Sequence, residues 1–304
     1  MTPDVSVVIP AYNAEGFIRQ CLSGIAAQTL ARERFEIILV DDGSRDNTFR
    51  VCEAIKAELG LESLRLVQQA NAGPASARNQ GIRQAQAAIV AFLDSDCVPH
   101  PGWLAALIKP LLECSELQGV EGQTLPMEGK ISQLHHIVEN RQGGLYWTCN
   151  IAYRKAVLLA VGGFDEGFPL PSGEDIDLAQ RIQRQGKILF EPAAVVEHVL
   201  VYWPMVRHFR YARTFSSMVR LWRKHPGLLL PADTTFTDLV VFQVRQLLFP
   251  WLRGGKDMLW QDPVGFCQMG VIRCVCVVDT LLRLPQYYKE AHQPLVVREA
   301  LRPA

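Results

Sequence analysis

The sequence predicts an α/β fold: a doubly wound sheet over roughly the first 200 residues, followed by a helical C-terminal region. Three observations predict it. Short β-branched apolar runs alternate with stretches whose apolar residues recur at helical spacing. Acidic and amide side chains gather where those runs end, at the edge where open α/β sheets bind ligands. After His198 the chain changes character and interleaves aromatics with arginine and lysine.

Residues 5–10, VSVVIP, are the first run, closed by a proline, and Phe17, Ile18, Cys21, Leu22 and Ile25 follow at helical spacing. Residues 35–40 repeat the pattern, and Val51, Cys52, Ile55 and Leu59 mark one face of the next helix. Residues 64–67 and 88–93 are further strands, separated by GPASARNQGIRQAQ, whose opening Gly73-Pro74 suits a loop entering a helix. Near-continuous apolar runs fit strands covered on both faces, so the alternation implies parallel pairing. It places Asn13, Asp41, Asp42, Asp94, Ser95 and Asp96 at the strands' carboxyl ends. Beyond Cys114 the alternation weakens, until PSGEDIDLAQRIQRQGK reads as a helix with Ser172 or Gly173 as N-cap and Gly186 as its stop.

With 304 residues, 49% of them hydrophobic, the chain can bury one sizeable core and still leave about a hundred residues for a second element. A formal net charge of zero gives no global field toward nucleic acid, and no nucleic-acid partner is expected. Eight cysteines are scattered without Cys-x-x-Cys or Cys/His ligand spacing, which suggests reduced, mostly buried thiols in a reducing compartment. The opening MTPDVSVVIP has neither a basic flank ahead of an apolar run nor a small-residue cleavage site, so a cytoplasmic location is expected.

Three motifs could carry chemistry. In LDSDCVP, Asp94 and Asp96 follow a buried strand with one residue between them, so both can reach one Mg2+ or Mn2+ ion from a single turn; the other reading is a solvated loop cap. In VDDGS, Asp42 could accept hydrogen bonds from a base or ribose, or form an Asx-turn, with Ser44 or Asp46 capping the following helix. In GEDIDLAQR, Glu174, Asp175 and Asp177 crowd a helix N-terminus, where the dipole favours carboxylates. Three acids exceed what a cap requires. Asp177 and Arg181 are spaced to pair on the surface, which leaves Glu174 and Asp175 free to accept hydrogen bonds and protons.

The order VSVVIPAYN, VDDGS, ASARNQG, FLDSDCVP, GGFDE and GEDIDLAQR resembles glycosyltransferase family 2, the inverting enzymes of the GT-A fold, a Rossmann-like doubly wound mixed sheet. The resemblance covers about residues 4–199 and implies a catalytic domain over 1–199 with a separate region over 200–304. It implies an inverting, metal-dependent hexosyltransferase-class enzyme. A sugar would pass from a UDP- or GDP-activated donor to a hydroxyl of a glycan or lipid-linked acceptor. By the resemblance, Tyr12 and Asp42 contact the nucleobase, Pro10 and Ala11 shape the pocket wall, and Arg78 reaches the base or diphosphate. Asp94, with Ser95 beside it in the donor site, touches the ribose and helps with the metal, and Asp96 is the direct Mn2+ or Mg2+ ligand. Asp175, seconded by Glu174, corresponds to the general base, and Trp147, Cys149, Asn150, Gly163, Phe164 and Asp165 to the donor-sugar and acceptor pocket. For Trp147 and Phe164 ordinary packing is the other reading. His198 corresponds to a third metal or diphosphate ligand in some GT-A enzymes, or is structural. The Gln-x-x-Arg-Trp motif of processive synthases is missing, since the chain reads IQRQGK there, so single addition is expected.

Two other classes compete. A nucleotidyltransferase would want a glycine-rich, basic phosphate loop after the first strand, but that loop reads PAYNAEGF. A catalytically silent nucleotide-sugar-binding partner protein would have no need of the full acidic set. In the last hundred residues, Trp203, Val206, Phe209, Tyr211, Phe215, Met218, Leu221 and Trp222 mix with Arg207, Arg210, Arg213, Arg220, Arg223 and Lys224 over one expected helix. It resembles an interfacial membrane helix, each cation worth about 1 kcal/mol near anionic lipid, or a basic helix packed on the catalytic domain. Apolar stretches follow at 239–252 and 264–282; Gln268, Arg273 and Asp279 interrupt the second, which argues for lying on the cytoplasmic face of the membrane over crossing it.

Overall fold

The computed structural model describes residues 2–129, 132, 134–168, 170–253, 262–292 and 301, with the side chains of Tyr211, Ala212, 250–253 and Pro263 outside the described set. The first strand, β1 (Val5–Ala11), shows why its apolar run is unbroken: Val5, Val7 and Ile9 enter one core while Val8 enters another on the opposite face. β2 (Phe35–Asp41) repeats this, sending Ile37 and Leu39 one way and Ile38 and Val40 the other. β3 (Leu64–Gln68) and β4 (Ile89–Phe92) complete a parallel group, β3-β2-β1-β4, in which Val5 faces both Phe35 and Ile89.

The sheet then turns mixed. Its order is β3-β2-β1-β4-β8-β6-β9-β5, adding β5 (Cys97–Pro99), β6 (Leu117–Pro126), β8 (Ile151–Arg154) and β9 (Lys187–His198). β8 runs antiparallel to both β4 and β6, and β5 antiparallel to β9, while β6 and β9 are parallel. A short ribbon pairs β7 (His135–His136) with β10 (Val201–Tyr202). This ribbon joins residues from either side of position 200.

α1 (Ile18–Ala26) and α2 (Thr48–Leu59) cover one face of the parallel half and α3 (Pro74–Gln84) the other, while α4 (Trp103–Glu113) continues the first layer over β6, β8 and β9. α3 lies so close to β1 that a Cβ on Gly81 would meet Val8 Cγ1 at 2.2 Å. α5 (Lys155–Ala160) and α6 (Glu174–Gln183) share that face. The N-cap of α6 is Gly173, with a left-handed φ of 86°, rather than Ser172.

The basic-aromatic stretch is two helices rather than one, α7 (Met205–Ala212) and α8 (Phe215–Lys224), followed by α9 (Phe236–Arg253), α10 (Pro263–Leu282) and α11 (Leu284–His292). They are fastened to the sheet domain by buried charge. Asp165 accepts hydrogen bonds from Arg220 (2.7 Å) and Lys224 (2.8 Å), and Asp177 meets Lys224 at 2.7 Å and His225 at 2.8 Å. The Asp177–Arg181 pair forms as its spacing predicts, at 2.8 Å, but both residues are buried beneath α8 rather than exposed. Burial alone would raise the Asp177 carboxyl, yet the His225 hydrogen bond and the charges of Arg181 and Lys224 hold it below the ordinary range. The cysteines carry no disulfide, and five of the eight are buried. Val264–Leu282 is long and apolar enough to cross a membrane by composition, with a third of it (33%) buried against the protein. Arg273 donates to the Leu247 carbonyl, and Asp279 pairs with Arg283 at 3.0 Å.

Candidate active site

A cavity of about 640 Å³ opens at the carboxyl edge of the sheet. Among the expected site residues, Arg78, Asp94, Trp147, Glu174, Asp175 and His198 line it. They arrive from five separate elements or loops, which is what convergence on one site requires.

The two ends of the cavity are joined by Arg78. It sits on α3, almost fully buried, and donates to Asp94 Oδ1 at 2.9 Å and to Glu174 Oε1 at 3.0 Å. Its guanidinium is thus a strut between the turn after β4 and the first residue of α6, and both terminal nitrogens are engaged by protein carboxylates. Glu174 Oε2 has no hydrogen-bond partner among the described residues. Burial raises the Glu174 carboxyl, against the pull of Arg78. Asp175 is raised to about 7, first by burial and then by the negative charge of Glu174. A carboxylate poised there is suited to taking a proton near neutral pH.

The second corner is held by the β5–β9 pairing. Cys97 stands opposite His198 in that register, so Asp96 Oδ1 and His198 Nε2 come within 3.5 Å. His198 Nδ1 lies 2.9 Å from the Val199 carbonyl, which can only accept, so Nδ1 carries a proton and Nε2 is the nitrogen turned toward Asp96. Asp96, Cys97 and His198 place ligand atoms within 4.8 Å of one another. A carboxylate oxygen and an imidazole nitrogen oriented from behind fit a divalent ion such as Mn2+, while the buried Cys97 thiol is held protonated by burial.

Other expected residues occupy different positions. Asp42 lies at the end of β2, but its four acceptor positions go to Gln69 Nε2, Asn71 Nδ2 and the amides of Ala72 and Gly73. A nucleobase would bond this carboxylate only by displacing one of them. Tyr12 is 46% exposed beside it, at the same edge as Pro10 and the buried Ala11. Ser95, between the two aspartates, does not line the cavity, and neither does Asp96. Asn150 and Asp165 also lie outside the cavity lining. Asn150 is buried, its side chain occupied by Trp103 Nε1, Gln123 O and Ala194 O, and it stitches β8 to its neighbours. Asp165 faces away from the cavity, toward α8. Phe164 packs edge-on to Phe92 at 5.3 Å, in keeping with a core role. Glu121 accepts from the amides of Gly144, Leu145 and Tyr146 and holds the loop that delivers Trp147.

Sequence reasoning missed a whole wall. His136, Trp203, Arg207, Arg210 and Thr214 line the cavity, and His136 stacks on Trp203 at 4.1 Å and 10°. Trp203, Arg207, Arg210 and Thr214 recur at intervals of four, three and four, a helical face visible in the sequence, but their mixture of arginine and aromatic suits a lipid surface as well as a packed helix.

Residues 6–120 match the model described as Glycosyl transferase family 2. Residues 6–120 are a family 2 glycosyltransferase domain. The glycosyltransferase AglE of Haloferax volcanii is 31% identical over 60% of this chain and 62% of its own length. The validoxylamine A glucosyltransferase of Streptomyces hygroscopicus subsp. limoneus is 30% identical over 79% of this chain and 61% of its own. This chain therefore spans less than two thirds of either relative. In fold, the mannosyltransferase PcManGT from Pyrobaculum calidifontis, solved with GDP-Man and Mn2+, superposes with a TM-score of 0.60 over 93% of this chain and 88% of its own, at 19% identity. The fold is GT-A.

Proposed function

We propose that the protein is an inverting glycosyltransferase that moves a sugar from a UDP- or GDP-activated donor to an acceptor hydroxyl, with Asp175 as general base. The observation that carries this reading is that one cavity is lined by Asp175, a carboxylate raised to about 7, and by Asp94 and His198, with Asp96 just outside the lining at 3.5 Å from His198 Nε2. As the acceptor oxygen bonds to the anomeric carbon, its proton passes to Asp175, the bond from that carbon to the diphosphate breaks, and the nucleoside diphosphate leaves with the electron pair. Attack from the face opposite the leaving group inverts the anomeric centre.

Asp96 and His198 would hold Mn2+ or Mg2+, which would offset the charge growing on the diphosphate. Arg78 keeps the two corners in register, and Glu174 tunes the base. This division of labour supports transfer over nucleotidyl chemistry, because the β1 loop offers no cationic phosphate cradle. An acidic set of this completeness argues against a silent binding protein. Peripheral contact with the cytoplasmic membrane face, through the exposed Val264, Val271, Val275 and Val278 of α10, fits a lipid-linked or glycan acceptor. A thermal-shift series of nucleotide sugars, each with and without Mn2+, tests the reading: the true donor raises the midpoint only when the cation is present. If no nucleotide sugar stabilises the protein, the reading is wrong.

A further inference from the structure

The face of α7 that the sequence left open between a membrane surface and the catalytic domain is a wall of the cavity, and it has a direction. At one end Trp203 stacks on His136, whose ring lies 6.0 Å from that of His198. At the other end Thr214 leads into α8, which grips the base-bearing helix α6 through Lys224 and Asp177 at 2.7 Å. Arg207 and Arg210 lie between, three residues apart on one face and hence neighbours on the helix surface. Arg207 rests its guanidinium over the Trp203 ring at 4.7 Å. Among the described residues no carboxylate pairs with either guanidinium, whereas Arg213, Arg220 and Lys224 on the same stretch are each paired. Two cationic forks therefore face the cavity with no ion pair among the described residues, and two such forks match a tetrahedral phosphate better than any neutral sugar surface.

We propose that Arg207 and Arg210 form an anion subsite on the acceptor side of the cavity, and that the acceptor carries a phosphate group near the hydroxyl it presents to Asp175. The inference rests on the glycosyl-transfer reading. Within that reading the donor's diphosphate belongs with Asp94, Asp96 and His198. Arg207 is the nearer of the pair to Asp96, whose charge acts on it, and Arg210 lies further along the strip toward α6.

The test uses the full chain saturated with UDP or GDP and Mn2+, to which glycerol phosphate is added while the unfolding midpoint is followed. Glycerol phosphate should stabilise the nucleotide-saturated protein. Arg207→Gln and Arg210→Gln should each weaken that binding roughly ten-fold or more and leave nucleotide affinity unchanged, while Arg210→Lys, which keeps charge but loses the fork, should retain only part of the binding that Arg210→Gln loses. Vesicles of phosphatidylglycerol, with phosphatidylcholine as control, separate the sources: binding lost in the same variants assigns a lipid-borne phosphate, and a response to glycerol phosphate alone assigns a soluble one. If the glutamine variants weaken nucleotide binding instead, or leave glycerol phosphate binding intact, the arginines serve another purpose and the subsite is refuted. If neither nucleotide binds the wild-type chain with Mn2+, the transferase reading itself fails and takes the subsite with it.

Discussion

Asp175 and Glu174 are adjacent in sequence yet do different work, because only one of them is held by a cation. Glu174 is tied to Arg78, while Asp175 accepts from the amide of Ile176 at 2.8 Å and is raised to about 7 by burial and by its neighbour. A base must be deprotonated to act, so kcat/KM should climb with pH through about 7 and level off above it. Glu174→Gln removes the neighbouring negative charge and should move that limb to lower pH. Asp175→Asn should cut turnover by roughly 10²–10⁴-fold with nucleotide binding intact; a variant that retained full turnover would remove the residue from its role. These carboxylates were legible because they crowd one helix start. The strut was not. Arg78 reads as a donor contact in ASARNQG, and only the fold brings it between residues 94 and 174.

At the scale of elements, the first four strands could be read directly, because a strand covered on both faces must be apolar at consecutive positions. The antiparallel half could not. β5 is three residues long, and β9 buries only Ala194, Val196 and His198 of its twelve residues, so neither gives a run that stands out. That is why His198 carried two readings: its function depends on pairing with Cys97, a contact between strands about a hundred residues apart in the chain. The contact of α3 with β1 depends on Gly81, and Gly81→Ala should cost about 1–3 kcal/mol by forcing the helix off Val8, measurable by denaturant unfolding. The cost should fall when Val8→Ala is combined with it, because the clash is between those two side chains.

For the whole molecule, the boundary near residue 200 marks a change of composition rather than a mechanical division. Leu301 is buried beside Gly163 in the core shared by α3 and α6, and its amide donates to the Gly162 carbonyl at 3.2 Å. Asp165 and Asp177, both without solvent exposure, fix α8 from beneath. Asp177→Asn leaves Lys224, Arg181 and His225 facing a neutral group and should destabilise the fold by about 3–5 kcal/mol at neutral pH. Because the folded carboxyl is held below its ordinary range, its contribution is present above that range and is lost as pH falls through the depressed value. The variant should therefore show a flatter loss of stability on acidification than the parent, followed by thermal unfolding across a pH series. The charge pattern of 203–224 announced an electrostatic role but not its target, since arginines suited to lipid phosphate are equally suited to buried aspartates.

The contribution of α7 to the reaction chamber also bears on how such enzymes diversify. The sheet half presents the turn after β4 and Asp175, while the opposing wall comes from a later stretch of chain joined through a few charged contacts. Exchanging residues beyond 200 between homologues, with the aspartate anchors matched, should transplant the preference for the molecule being modified and leave the preference for the activated sugar behind.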